Sequence, residues 1–488
     1  MLFFFLSILI SLNSVLFSEI TFPKFEPGVM ESGHSVYITK SSDESTEWKF
    51  ELLKQAKRSI DMSAGYCGGQ VFHTLLDILT EQLQNNPIIK IRLFMTQVTN
   101  MISSNDKDRL RTLQEQFPER FTYLIRLSSF LLFQEHGIYT TENHVKLLII
   151  DEKYFLLGGT NLIANLCTED SSRRPDLHTI PAAFLPQTAA DMDIVASGPM
   201  AAKLRREFFA LCELYLSDSS LKASAGPFIA SYADYFEISD EEKTAIPSFD
   251  DHPEVVHDVP LYGVLTGPRL QLHTAGAIYK FLIEQARQMI SLGHLYFFPV
   301  APIYTALQAA VNRGVELDLI TNGINTEIAL SNSTRSLYGY INRINYFPMM
   351  TGRSFRTWEF LTAQKAPQKR VSIYELDVPY MLYHKKVMVV DHRFITIGSY
   401  NLGAKSENAD YEVLVVLDAP KTAMQVEMLL NQDKLRCQQI ELTQAFSWYF
   451  NPFYNLLSDF EKNFFDGVIF NYKEFKNTHT QVKKQEKQ

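Results

Sequence analysis

The chain has 488 residues, a formal net charge of −9 and 46% hydrophobic residues. That length holds two to three domains or one duplicated enzyme, and the apolar share is ample for a large core. The acidic balance excludes a protein that relies on bulk attraction to nucleic acid, while leaving room for a local basic groove.

Residues 1–18 open with an almost wholly apolar run, MLFFFLSILISLNSVLF. It reads as a secretory signal peptide or an uncleaved N-terminal anchor, so the protein is expected to be exported or membrane-associated. A first repeat is expected over residues 35–217. In it, Phe50, Leu53, Ala56 and Ile60 recur at helical spacing. A strand and glycine turn follow at Met62–Gly69, then a helix at about Val71–Leu83 and a strand at Ile88–Met95.

His144 and Lys146 then precede the apolar run Leu147–Ile150. Side chains alternate across a strand, so the His and the Lys share a face and make an anion site. The Lys keeps its charge near neutral pH, and the His can serve as nucleophile, base or acid. Asp151 opens a polar turn and Tyr154–Leu157 returns as a strand. Gly158, Gly159, Thr160 and Asn161 close the hairpin, bringing an amide back toward a bound phosphate. The insert 162–190 reads as a loop whose Arg173 and Arg174 lie beside this motif, and Gly198–Leu216 as the amphipathic helix that ends the repeat.

Residues 218–260 are rich in Ser, Pro and acidic residues and read as a solvated linker. His252 and His257 lie near Asp250, Asp251 and Asp258, at a spacing that fits no standard metal site. The second repeat, 261–445, repeats the first: FLIEQARQMI at 281–290 echoes LLKQAKRSI at 52–60. A helix at about Pro302–Arg313 leads into the strand Val315–Thr321. His384, Lys386, Asp391, Gly398, Ser399 and Asn401 then stand 240 residues beyond His144, Lys146, Asp151, Gly158, Gly159 and Asn161. Two such blocks imply an internal duplication, and the helix–strand alternation in each half is the sign of a layered α/β fold. A helix at about 420–442 ends the repeat, and 446–488 is an aromatic segment with a polar tail. That segment reads as a terminal helix, with contact to a membrane surface as the alternative.

His384, Asp391 and Ser399 stand in the order of a serine-protease triad. Asp391 lies seven residues from His384, on the opposite face of the strand and roughly 23 Å away if extended. It is read, with Asp151, as fixing a hairpin turn. The four cysteines, Cys67, Cys167, Cys212 and Cys437, are widely spaced and read as core thiols; no metal site is expected.

These residues resemble the signature of the phospholipase D superfamily, H-x-K, four residues, D, six residues, G-[GS]-x-N. HKKVMVVDHRFITIGSYN matches it fully, and HVKLLIIDEKYFLLGGTN matches the Gly-Gly variant. The resemblance covers most of residues 35–430. It implies a duplicated phospholipase D-like α/β/α layered fold, with two repeats packed around one shared active site. It implies that one of His144 and His384 attacks phosphorus to give a phosphohistidine, while the other protonates the leaving alcohol. Which of the two attacks is left open. Lys146, Lys386, Asn161 and Asn401 would hold the phosphate oxygens, and Gly158, Gly159, Gly398 and Ser399 would shape the motifs. A downstream acid would orient each His: Glu412 in the second repeat and Asp193 in the first. No cofactor is implied. The expected activity is that of a phospholipase D-type phosphodiesterase on phospholipids, by hydrolysis or transphosphatidylation. A cardiolipin synthase-like phosphatidyltransferase, an endonuclease and a non-enzymatic membrane-associated protein are the alternatives. The expected partner is a phospholipid or membrane surface; nucleic acid is disfavoured, and no obligate protein partner is inferred.

Overall fold

The computed structural model describes residues 21–97, 102–127, 132–134, 137–139, 141–170, 188–217, 235–323, 337–351, 370–378 and 381–441. The N-terminal run 1–18, Arg173, Arg174 and the segment 446–488 lie outside these residues.

The first half supplies β1 (Glu31–Ile38), α1 (Ser42–Gln55), β2 (Ser59–Ala64), α2 (Gly69–Asn85), β3 (Lys90–Gln97), α3 (Ser104–Gln116) and β4 (Phe121–Leu127). The motif hairpin is β5 (Leu147–Ile150) and β6 (Tyr154–Gly158), followed by β7 (Thr188–Ala190), β8 (Asp193–Ser197) and α4 (Met200–Ser217). The second half supplies β9 (Val256–Thr266), α5 (Thr274–Gln285), β10 (Met289–His294), α6 (Ala301–Arg313), β11 (Glu316–Asn322), α7 (Leu337–Thr351), β12 (Val371–Leu376) and β13 (Met381–Tyr383). Its hairpin is β14 (Lys386–Val390) and β15 (Phe394–Gly398), followed by α8 (Ala404–Asn408), β16 (Glu412–Asp418), α9 (Pro420–Lys434) and β17 (Cys437–Gln439).

One sheet of 15 strands runs through both halves, in the order β17-β12-β11-β10-β14-β15-β16-β9-β1-β8-β6-β5-β2-β3-β4. Apart from β17 at one edge, the order mirrors itself about the antiparallel β9–β1 pair, so the halves are joined strand to strand. Alternation sorts the side chains. In the first half, Leu147, Ile149, Phe155 and Leu157 face α4, while Leu148, Ile150, Tyr154 and Leu156 face α1 and α2. The layer carrying α4 and α9 is a single core shared by both halves. The opposite face has two cores, one over each half. This is the three-layered α/β/α arrangement implied by the resemblance.

The linker expected over 218–260 is different where it is described. Ile246, Phe249 and Val255 are buried, and Phe249 meets the Trp48 and Tyr154 rings edge-on. Residues 256–260 already belong to β9, a central strand. The acidic composition misleads because its charges alternate with apolar residues that cover the α1 layer. His252 packs its ring on Tyr37 and Trp48 and His257 meets Ser35, and no metal-type cluster occurs among the described residues. The helix expected over 420–442 stops at Lys434, and the chain then adds β17 to the sheet edge.

Candidate active site

Each hairpin turns on an aspartate. Asp151 and Glu152, like Asp391 and His392, take positive φ between 52° and 55°. Asp tolerates that region because its short side chain finds local partners. Here the partners are backbone N–H groups. Lys57, Arg58 and Ser59 donate to the Asp151 carboxylate at 2.7–2.8 Å. Arg287, Gln288 and Met289 donate to Asp391 at 2.8–3.0 Å. Both aspartates therefore lock the hairpin to the start of the neighbouring strand, far from the His end.

The His ends meet at the seam between the halves. The His144 N–H donates to Tyr411 O at 2.9 Å and the His384 N–H to Ala190 O at 2.8 Å. β7 pairs in parallel with β13, and Asn143 bridges Tyr411 in the same sense. Each motif is thus stitched to the strand that carries the other half's acid. His144 Nδ1 donates to Glu412 at 2.9 and 3.0 Å, and His384 Nδ1 donates to Asp191 Oδ2 at 2.6 Å. A carboxylate accepts only, so both imidazoles are held with Nδ1 protonated and Nε2 left for another partner.

This corrects the expected orienting acids twice. Glu412 serves His144 of the other half rather than His384. Asp193 serves neither: its carboxylate accepts from Lys49 Nζ at 2.6 Å and from Thr160 N at 3.1 Å. The residue on His384 is Asp191. The strand register explains the slip, because Asp193 lies opposite Gly158 while Leu414 lies opposite Gly398. Two residues earlier on each strand stand Asp191 and Glu412, which are the true equivalents.

The two acids are supported differently. Glu412 accepts from Ser406 Oγ at 2.6 Å and from Ser399 Oγ. Asp191 accepts from Met192 N at 2.9 Å, and a Cβ on Gly159 would lie 2.2 Å from its Oδ1. Lys146 and Lys386 each donate to the carbonyl of their own motif His. Asn161 Oδ1 accepts from Tyr66 N at 3.0 Å. Asn161 Nδ2 and Asn401 Oδ1 are buried and lack a hydrogen-bond partner among the described residues.

Burial dominates the electrostatics. It pushes the His384 imidazole down to about 4, with Lys386 adding to the fall, and holds His144 well below the usual histidine range, with Lys146 adding there. Burial also lowers both lysines, Lys386 to about 7, against the pull of Asp191. It raises Glu412 to about 7 against the nearby Lys146. At Asp191 the upward push of burial is outweighed by His384 and Lys386, and the carboxyl stays below its ordinary value. The site is therefore a buried cluster of two imidazoles, two lysines whose charged forms burial disfavours, and two amides with spare polar atoms, an arrangement that an anion would stabilise.

A family model described as "Cardiolipin synthase, PLD-like domain" matches residues 279–434. The chain is 24% identical to the probable cardiolipin synthase YwiE of Bacillus subtilis over 196 residues, 39% of this chain and 34% of that protein. It is 24% identical to a cardiolipin synthase of Geobacillus kaustophilus over 209 residues, 43% and 30% of the two chains. The chain thus matches about a third of the length of these curated relatives. The solved phosphatidylserine synthase of Haemophilus influenzae Rd KW20 superposes with a TM-score of 0.60 at 15% identity, covering 89% of this chain and 95% of that one. The fold is therefore common to the two over nearly their whole lengths. Taken with the paired motifs and their meeting at one seam, the match of residues 279–434 to a PLD-like domain and the cardiolipin synthase relatives support membership of the phospholipase D superfamily.

Proposed function

We propose that the protein is a phosphatidyltransferase, moving the phosphatidyl group of a phospholipid from one alcohol to another through a phosphohistidine. The observation that carries this is the pair of imidazoles held through Nδ1 by buried carboxylates of the opposite half. In-line exchange at phosphorus needs one Nε2 to attack and a second, across the phosphate, to protonate the leaving oxygen. The acceptor alcohol then returns its proton to the second imidazole as its oxygen displaces the first. Lys146, Lys386, Asn161 and Asn401 hold the non-bridging oxygens, and the arriving negative charge favours the protonated forms of the buried lysines and of the second imidazole, which burial holds neutral in the free site.

The names of the relatives support a phospholipid as substrate and transfer to an alcohol ahead of the phospholipase D-type hydrolysis expected from the motifs alone. Work on a bilayer lipid fits an exported or membrane-associated protein, with residues 1–18 as signal or anchor. Among the described residues no helix is long and apolar enough to cross a membrane.

The test is product analysis with phosphatidylglycerol vesicles in EDTA, beside single-stranded DNA. Transfer predicts cardiolipin or another exchanged phospholipid with release of the free alcohol. Phosphatidic acid as the sole lipid product would replace transfer by hydrolysis. Cleavage of DNA with no lipid turnover would overturn the lipid assignment.

A further inference from the structure

The two halves place equivalent residues on the two sides of the His pair, and just beyond the histidines the equivalence breaks down. Glu142 and Leu382 stand at equivalent places, each two residues before its motif histidine. On the partner strands, Asp410 precedes Glu412 by two residues where Ala189 precedes Asp191. The His144 end is therefore ionic and the His384 end apolar.

At the ionic end, Lys405 Nζ donates to Glu142 Oε2 at 2.9 Å and to both oxygens of Asp410 at 2.6 and 2.7 Å. Glu142 is 6% exposed and its Oε1 has no hydrogen-bond partner among the described residues. Such an oxygen is costly to bury unless a donor arrives. The Lys405 side chain is 31% exposed, so the cluster lies at the edge of the buried site. Glu142 and Lys405 both act on the His144 imidazole, Glu142 raising its proton affinity and Lys405 lowering it. At the other end, Ile163, Leu166, Ala189, Leu295 and Leu382 form a small cluster separate from the main cores, flanked by half-buried Tyr66 and Tyr296. It is continuous with the His384 strand through β13 and with Asp191 through β7.

We propose that the Glu142–Lys405–Asp410 cluster is the subsite for a polyhydroxy alcohol, and that the Leu382 wall faces the acyl-bearing glycerol of the phospholipid. The cluster offers a carboxylate acceptor, Glu142 Oε1, to a hydroxyl donor, while the Lys405 ammonium, engaged by Glu142 and Asp410, holds the two carboxylates in place. The Leu382 wall offers apolar contact to the lipid's own glycerol and the start of its acyl chains. The subsite rests on the phosphatidyltransferase assignment and names the acceptor class for it.

The experiment measures phosphatidyl transfer from phosphatidylglycerol vesicles to labelled glycerol and to labelled 1-propanol, which share a three-carbon chain and differ in two hydroxyls. The full-length protein should half-saturate with glycerol at a concentration at least about ten times lower than with 1-propanol, because a site built for hydroxyls rejects the analogue lacking them. Lys405→Met should raise the glycerol value about ten-fold or more and move the propanol value by less than about three-fold. Glu142→Gln, which keeps the shape, should move the glycerol value in the same direction and serves if Lys405→Met does not fold. Equal half-saturation by the two alcohols in the unmodified protein, or equal shifts for both in the variants, would overturn the subsite. Transfer to neither alcohol would instead sink the phosphatidyltransferase assignment itself.

Discussion

Gly159→Ala should disable one histidine without touching it. A Cβ at 159 would lie 2.2 Å from Asp191 Oδ1 and 2.6 Å from Oδ2, inside any permitted contact. Asp191 has little freedom, being fully buried and tied to Met192 N. Reaching an ordinary carbon–oxygen separation means a shift of about 1 Å. That shift takes the 2.6 Å bond to His384 Nδ1 beyond hydrogen-bond range. A catalytic group misplaced by about 1 Å costs on the order of 10²-fold in rate. The assay is the rate of phosphatidyl exchange, alongside the ¹⁵N spectrum of the imidazoles, where the His384 Nδ1–H resonance should move and that of His144 should not. The second half shows how a side chain is accommodated at this place: Ser399 stands there, and the longer Glu412 accepts its hydroxyl. The double variant Gly159→Ser with Asp191→Glu should therefore recover at least about ten-fold of the lost rate, by restoring the positioned hydrogen bond. Gly159→Ala with near-normal turnover and an unmoved His384 signal would refute the reasoning.

His144→Ala and His384→Ala should each lower turnover by about 10²–10⁴-fold or more, and full activity in either would exclude the two-imidazole exchange. Asp151→Asn should act on stability, costing about 1–3 kcal/mol through weakened acceptance from three backbone N–H groups, with kcat per folded molecule little changed; chemical denaturation and active-site titration check the two parts. Lys386 sits near 7 in the free site against 10.5 for an ordinary lysine, so its positive charge is lost as pH rises through about 7. Phosphate binding needs that charge, so kcat/KM should fall on the alkaline side of pH 7 while kcat, measured with the anion bound, falls at higher pH. A flat kcat/KM from pH 6 to 9 would contradict this. Activity should persist in EDTA, and complete loss reversed by one divalent ion in a detergent-dispersed assay would require a different chemistry.

The motif residues were legible because their spacing carries them: one strand, one turn and one returning strand fix His, Lys, Asp, Gly and Asn relative to each other. The α/β layering was legible from the repeated helix–strand order. What could not be read were relations across the seam. DMD at 191–193 and DYE at 410–412 look like the same triplet, and aligning them makes Asp193 the match of Glu412. The pairing of β8 on β6 and of β16 on β15 decides otherwise, and register is a property of the folded sheet. The exchange of acids between halves left no local trace either, since His144 and Glu412 are 268 residues apart. The Glu142–Lys405–Asp410 cluster was missed for the same reason. A signal did exist, in the charged residues two positions before His144 and Glu412 where Leu382 and Ala189 stand in the other half.

The antiparallel β9–β1 pair at the middle of the sheet has a consequence for how such a site acquires direction. A single repeat forming the same sheet as a symmetric dimer would join two copies of one edge strand, and every residue would then appear twice, once on each side of the cleft. Glu142 on one side would demand a glutamate on the other, and the pocket would treat both ends of a phosphodiester alike. Joining the two copies in one polypeptide removes that demand. Each side drifts under its own constraints, and a pocket that began as a palindrome becomes able to tell one end of its substrate from the other.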